Sequence, residues 1–419
     1  MGCIPTKTLV ASAEAIHTAK RGDVFGFSIG ELEVNFGAIM ERKNAVSGRI
    51  RENLTKALDT NEHIDVFRGE ARFETGTRIR IGENVVEADK TIITAGSVPV
   101  VPDIPGLTEA GYLVNDTILE LNELPERLVI IGGGVVGLEF GQVFARIGSH
   151  VTILQRSERI LPRDDEEITE ALTGYLREEG IDIRTRAVTR RVEQVHGRKV
   201  VVADIGGQEE RLEADHILVA VGRGPNGLER MNLEAAGVQY TSRGIRVDNE
   251  LRSTAPNIWA AGDVLGGPLY THVAVYEAIL AIENALSDAG RRMSFRAIPG
   301  AVFTDPEFGT VGLTEADARR LGHEVRVLKH PFRYVGRARA IADMRGFVKI
   351  VVDAHSGAIL GAQALGPRAG EYIHEVTVAM NAEGSRLDPI LDAIFIHPTL
   401  SEGVKAAAGQ WLKWAPGAE

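Results

Sequence analysis

The run Leu128-Val129-Ile130-Ile131 leads directly into Gly132-Gly133-Gly134-Val135-Val136-Gly137, and no other feature of the sequence constrains the fold so tightly. A β-branched run, a G-x-G-x-x-G turn, a helical stretch over 138–147 and a second apolar run over 150–154 together make one βαβ unit. Each glycine has a mechanical task. Gly132 permits the tight turn, Gly134 lets a pyrophosphate approach the backbone, and Gly137 lets the helix settle on the strand. The unit reads as dinucleotide-binding. Its second strand ends Val151-Thr152-Ile153-Leu154-Gln155-Arg156-Ser157. Gln155 stands where an acid would hold a free ribose 2′-hydroxyl, and Arg156 is placed to pair with a 2′-phosphate. NADPH is therefore expected ahead of NADH. A solvated surface arginine is the plain alternative for Arg156, and Glu158 is near enough to serve a ribose.

The rest of the chain agrees with an α/β reading. Glycine is frequent, at 46 of 419 residues, and sits at the ends of short β-branched runs. At about 150 residues per domain, this length allows about two to four domains. Helical character runs over 6–20, with Leu9, Ala13 and Ile16 on one face, and again over 36–58. Strands are expected near 64–72, 78–81 and 91–94, followed by a proline-rich linker over 98–106. A helix over 166–179, a strand over 217–221 and a strand running into a turn over 256–263 follow. From about residue 297, strands near 324–328, 347–353 and 359–364 alternate with helices at 370–383 and 389–395. The expected boundaries are 1–120, 121–240, 241–296 and 297–419.

Composition removes several function classes. Lys plus Arg number 47 against 58 Asp plus Glu, and the net charge of −11 repels phosphate backbones, so nucleic acid is not an expected partner. No uncharged apolar run reaches the ~18 residues that span a bilayer. The longest, 128–138, contains four glycines. Met1-Gly2-Cys3-Ile4-Pro5-Thr6-Lys7 has no secretory pattern, and a cytoplasmic location is expected. Cys3 is the sole cysteine, so no intrachain disulfide, cysteine–zinc cluster or iron–sulfur cluster is expected, and no metal site.

Gly2-Cys3-Ile4-Pro5-Thr6-Lys7 resembles the redox-cysteine segment of the FAD-dependent pyridine nucleotide–disulfide oxidoreductases, a family that includes dihydrolipoamide dehydrogenase and mercuric reductase. Four further stretches match in order. They are Thr94-Ala95-Gly96, the Gly132 turn with Glu139, the run over 254–263, and His397-Pro398-Thr399-Leu400-Ser401-Glu402. The resemblance covers the whole chain. It implies two nested Rossmann-like nucleotide-binding domains and a C-terminal α+β dimerisation domain. It also implies FAD and NAD(P)H as cofactors, a homodimer, and electrons passing to a thiol/disulfide or metal-ion acceptor. Members begin with a βαβ unit for the FAD pyrophosphate and carry a first redox cysteine just before the Gly-Cys segment. This sequence starts after both, so the first domain is expected to be truncated.

The same resemblance assigns roles. Cys3 makes the sulfur contact with the isoalloxazine ring, and Lys7, one helical turn on, reaches the ring's N5 edge and pairs with Glu139. Thr94, Gly96, Gly262 and Asp263 are cofactor-binding positions, with Asp263 accepting from the ribityl chain. Thr271 opens a helix whose N-terminus points at the flavin, and Gly222, in Gly222-Arg223-Gly224-Pro225-Asn226, closes the nicotinamide domain. His397 and Glu402 carry acid–base work from the partner subunit. Plain structural readings stand beside these: a surface lysine for Lys7, a helix cap for Asp263, and a capping box over Thr399 to Glu402. His374 reads as a packed helix histidine.

The acceptor stays open at this level. Mercuric reductases typically end in a vicinal cysteine pair, whereas this chain ends Lys413-Trp414-Ala415-Pro416-Gly417-Ala418-Glu419 and carries His397. Yet the run over 331–345, with Gly336-Arg337-Ala338-Arg339-Ala340, is similar to mercuric reductases. Two further readings stand: a non-catalytic nucleotide-binding dimerisation scaffold, and an NAD(P)H oxidase or peroxidase that cycles Cys3 through sulfenic acid.

Overall fold

The computed structural model describes residues 2–287 and 289–414; the last five residues of the C-terminal tail, 415–419, lie outside the described residues. The architecture is mixed α/β, as expected, and the backbone separates into two units.

The first unit comprises Met1–Ser47, Pro102–Val221 and Arg296–Glu419. Its nucleotide half is a four-stranded parallel sheet in the order His216–Val219, Arg127–Ile131, His150–Leu154, Asp182–Arg184. Leu128, Val129, Ile130 and Ile131 are all buried, because helices pack on one face of the parallel sheet and the antiparallel strands Ala187–Val195 and Arg198–Ile205 on the other. The helix Val135–Ile147 begins three residues earlier than the sequence pattern suggested. Gly137 sits inside its first turn, pressed against the strand. The first helix, Cys3–Lys20, buries Leu9 and Ala13 in the same apolar cluster as Phe140 and Phe144.

The C-terminal half of this unit is a five-stranded antiparallel sheet in the order Pro299–Val302, Glu307–Gly312, Ile359–Gly366, Phe347–Asp353, Val325–Pro331. The helices Ala369–Asn381 and Glu402–Gly409 close one core over Val348, Ile350, Phe332, Tyr372 and Trp411. Ions link this half to the nucleotide half. Arg146 pairs with Glu179 at 2.7 Å and Asp305 at 2.8 Å, and Arg345 joins Asp305 and Asp343. Buried Lys349 meets Asp165 at 2.9 Å and Glu315 at 3.0 Å. Buried charges survive only in such mutual pairing.

The second unit comprises Gly48–Val101 and Gly222–Phe295. Ile258–Ala260 pairs in parallel with Thr91–Ile93, and Ser97–Pro99 pairs antiparallel with Arg223–Pro225. The segment expected as a linker from residue 98 therefore starts inside a strand. The strand expected over 64–72 is confined to Ala71–Phe73. Ile64, Val66 and Phe67 are exposed, and among the described residues no strand lies alongside to take their backbone hydrogen bonds. His374 is also corrected: it stands exposed on its helix, with Nδ1 3.1 Å from the Glu371 carbonyl, because Tyr372, Ile373 and Val376 supply the buried face.

One half-buried acid in the C-terminal sheet carries a pH signature. Glu307 accepts from the Gly370 amide at 3.0 Å, and burial pushes its carboxyl up to about 7 from 4.5. The folded state thus binds this proton more tightly than the unfolded chain does. Its contribution is fully present below the unfolded value and is lost as pH rises through the folded one. Glu307→Gln, which imitates the protonated acid, is expected to raise the melting temperature at about pH 8.5, by an amount equivalent to about 2–3 kcal/mol, and to change it little at about pH 5. Equal shifts at both pH values in thermal denaturation would refute this assignment.

Candidate functional site

The three glycines of the turn differ in what holds them. A Cβ on Gly132, whose φ is +116°, would lie 2.3 Å from the Ala220 carbonyl oxygen. A Cβ on Gly137 would lie 2.0 Å from the Gly132 oxygen. Both are dictated by the protein's own backbone. Gly134 is different: its φ of −88° and ψ of −174° suit any residue, and no atom lies within 4 Å of its would-be Cβ. The space it leaves open lies at the N-terminus of a 13-residue helix, where amides and the helix dipole favour an anion. These residues fit the pyrophosphate of a dinucleotide.

The second-strand tip is organised otherwise than its sequence suggests. Gln155 is buried, and its Oε1 accepts from the Gly133 amide at 2.9 Å. It braces the glycine turn from within and does not reach outward as a ribose ligand. Arg156 is exposed and has no hydrogen-bond or ion-pair partner among the described residues. Glu158 is engaged with Arg186 at 2.9 Å.

Cys3 opens the first helix and is exposed. One turn on, the Lys7 ammonium donates to both oxygens of Glu139, at 2.9 and 2.7 Å. It also lies 4.5 Å from the centre of the Phe303 ring. Glu139 is 3% exposed, and its Oε1 accepts from the Phe303 amide at 3.0 Å. One carboxylate therefore joins the first helix, the nucleotide helix and the entry to the C-terminal sheet.

In the second unit, Asp263 Oδ2 accepts from the Ser97 hydroxyl at 2.5 Å. Arg223 donates to that hydroxyl at 2.8 Å and to the Ser97 carbonyl at 2.7 Å. The N-cap of the short helix Asp263–Leu265 is Gly262, so Asp263 stands as its first residue and not as the cap. Gly262, with φ +80°, donates its amide to the buried Glu277 carboxylate at 2.6 Å, and burial pushes that carboxyl upward. Gly96, with φ +73°, has open space where a Cβ would stand, and its carbonyl accepts from the Asn226 amide at 2.9 Å. Thr94 is exposed, Thr271 begins the helix Thr271–Ser287, and the Gly222 carbonyl accepts from Val100 at 3.0 Å. Sequence reasoning passed over Ser97 and Glu277. Ser97 directly follows the Ala95-Gly96 step, but nothing in the sequence announces that Glu277 turns inward.

His397 Nδ1 lies 2.9 Å from Glu402 Oε1, and the Thr399 amide donates to Oε2 at 2.9 Å. The bond to His397, with the Thr399 amide second, holds the Glu402 carboxyl below its usual range. Half of the expected capping box is therefore real, since Glu402 does reach back to the Thr399 amide. The other half is absent: Thr399 Oγ1 turns to the Ile396 carbonyl. Glu402 serves loop and imidazole together.

Comparison with known proteins gives a consistent result. Residues 1–278 match the family model of pyridine nucleotide-disulphide oxidoreductase, and residues 298–408 match the dimerisation domain of the same family. The chain is 36% identical over 408 residues to a mercuric reductase of Bacillus cereus, covering 97% of this chain and 64% of that protein. It is 37% identical over 414 residues to a dihydrolipoyl dehydrogenase of Thermus scotoductus, covering 97% and 88%. Among solved structures, the Cu(II) complex of the HOCl-induced flavoprotein disulfide reductase RclA from Escherichia coli superposes with a TM-score of 0.87 at 33% identity, covering 98% of this chain and 89% of that one.

The glycine geometry separates folding from binding. Gly137→Ala is expected to destabilise the nucleotide half outright. Gly134→Ala should keep the parent's melting temperature while weakening dinucleotide affinity about tenfold or more, by crowding the anion site. Calorimetric titration alongside thermal scans checks this; normal binding by Gly134→Ala would show that the open space is not where the pyrophosphate sits.

Proposed function

Because the chain belongs to the pyridine nucleotide–disulphide oxidoreductase family, we propose that it works as a homodimer which draws electrons from NADPH through FAD and delivers them to a thiol–disulfide or metal-ion acceptor. A cytoplasmic location, where NADPH is at hand, goes with this reading. FAD, when bound, accepts a hydride and passes its electrons on. The rest is the work of this chain's residues. The turn from Gly132 to Gly137 offers its amides to the dinucleotide pyrophosphate, and Arg156, exposed and without a hydrogen-bond or ion-pair partner among the described residues, takes a 2′-phosphate. Asp263, oriented by Ser97 and Arg223, accepts from ribityl hydroxyls. Lys7 presents an ammonium whose position Glu139 sets. Cys3 supplies the sulfur.

The observation that carries the reading is the His397–Glu402 contact. An ionised Glu402 accepts a hydrogen bond from Nδ1–H, so the tautomer assigned from this geometry leaves the lone pair on Nε2. The ring is 77% exposed and free to exchange a proton with a sulfur brought to it. Such transfer contributes about 10²–10⁴-fold to rate. A metal ion needs no such proton, which favours the thiol–disulfide class.

A second reading rests on the exposure of Cys3: peroxide oxidises the thiolate to sulfenate and leaves as water, and NADPH restores the thiol through the flavin. NADPH consumption that depends on hydrogen peroxide and disappears in Cys3→Ser would favour it.

Rapid kinetics on the flavin-loaded protein test the main reading. His397→Gln is expected to slow acceptor reduction about 10²–10⁴-fold while NADPH still bleaches the flavin. Colourless protein that takes up no FAD would end the proposal. Separately, Arg156→Ala is expected to raise KM for NADPH about tenfold while moving KM for NADH far less; equal effects would remove the 2′-phosphate assignment.

A further inference from the structure

Between Glu324 and Asp343 the sequence holds Arg326, Lys329, Arg333, Arg337 and Arg339 and no acid, in a chain whose net charge is −11. Two of these cations are occupied elsewhere: Lys329 pairs with Glu167, and Arg326 lies 5.0 Å from the Trp414 ring centre. The remaining three are displayed by packing. Phe332, Val335 and Ala338 are buried at 0%, 3% and 0% exposure, and Phe332 and Val335 press on Gly403 at the start of the helix Glu402–Gly409. With those positions turned inward, Arg333, Arg337 and Arg339 face solvent. The segment that carries them passes the imidazole at Gly336, where a Cβ would stand 3.9 Å from His397 Cε1.

Among the described residues none of the three guanidiniums has a carboxylate partner. Arg339 donates to the Arg333 carbonyl at 2.8 Å, and the Arg333 guanidinium lies 4.9 Å from the Tyr334 ring centre. The Tyr334 hydroxyl reports the local field: a hydrogen bond from Arg333, then the charges of Arg333 and Arg339, hold it below its usual value. An unneutralised arginine lip concentrates anions near it and repels free metal cations. The guanidinium fork also matches carboxylate and phosphate oxygens two at a time.

We propose that Arg333, Arg337 and Arg339 form an acceptor-recruiting lip beside His397, and that the acceptor is a small anionic disulfide bearing carboxylate or phosphate groups. The inference rests on the disulfide reading above and narrows it. The acidic part of the acceptor engages the arginines while its sulfurs lie toward the imidazole.

Three probes separate the two ideas. Lipoate carries a cyclic disulfide and a carboxylate, lipoamide the same ring without charge, and octanoate the charge without the ring. Isothermal titration of the FAD-loaded protein is expected to show lipoate binding about tenfold tighter than lipoamide at about 20 mM salt, with the gap narrowing toward about 300 mM. In Arg333→Gln/Arg337→Gln the lipoate-to-lipoamide affinity ratio should fall to about one, and in Arg337→Glu below one. Both arginines are exposed, so a circular dichroism spectrum is enough to confirm folding. Equal binding of lipoate and lipoamide by the parent protein, or a preference that survives both variants, overturns the anion lip and leaves the disulfide reading intact. Octanoate binding as tightly as lipoate, with the same arginine dependence, supports the lip and counts against the disulfide. No binding of any probe overturns the lip.

Discussion

A buried carboxylate must find compensation for its lost hydration, and in this protein the compensation for Glu139 organises the site. Its oxygens take the Lys7 ammonium and the Phe303 amide, so three separate stretches of chain converge on one charge. If Lys7 moves away, the carboxylate loses its counter-ion in a low-dielectric interior, and if Phe303 moves away, one oxygen loses its amide donor. That penalty ties the helix that begins at Cys3 to the helix that follows the glycine turn. It also ties the nucleotide half of the first unit to the C-terminal sheet, in parallel with the Arg146–Glu179–Asp305–Arg345 network a short distance along the same helix.

The same economy recurs wherever chemistry is expected: one polar group answers two demands. Glu402 terminates a loop amide and orients an imidazole. Ser97 receives from Arg223 and gives to Asp263, relaying a cation's influence to a carboxylate. Gln155 occupies the tip of the second nucleotide strand yet spends its oxygen on the turn. Such double use makes single substitutions at these positions read out in both stability and function, and it rigidifies groups whose placement a reaction depends on.

Much of this was legible from residue order. The glycine spacing points to a dinucleotide, and the family resemblance pairs the lysine one turn after the cysteine with the glutamate two residues after the third glycine and sets His397 beside Glu402. The coordinates place Lys7 against Glu139 and His397 against Glu402. The failures have physical causes. Residues 64–70 have strand composition, but a strand exists only where a neighbour accepts its hydrogen bonds, and none is at hand among the described residues. His374 looked like a core residue because its helix is apolar, yet its position on that helix points outward. Gln155 turns inward, where its Oε1 accepts from the Gly133 amide.

Local pattern by itself determined the parts whose rules are local: the βαβ unit, the turn that only glycine can make at positions 132 and 137, and the identity of the ionisable groups. Tertiary structure alone decided which charges are neutralised and which are left open. Glu139 became buried and paired, Arg156 was left without a partner among the described residues, and a segment with three exposed arginines was brought at Gly336 to the distant imidazole of His397. Charge interactions depend on distance and on the dielectric between groups, and neither quantity exists until the chain has closed on itself.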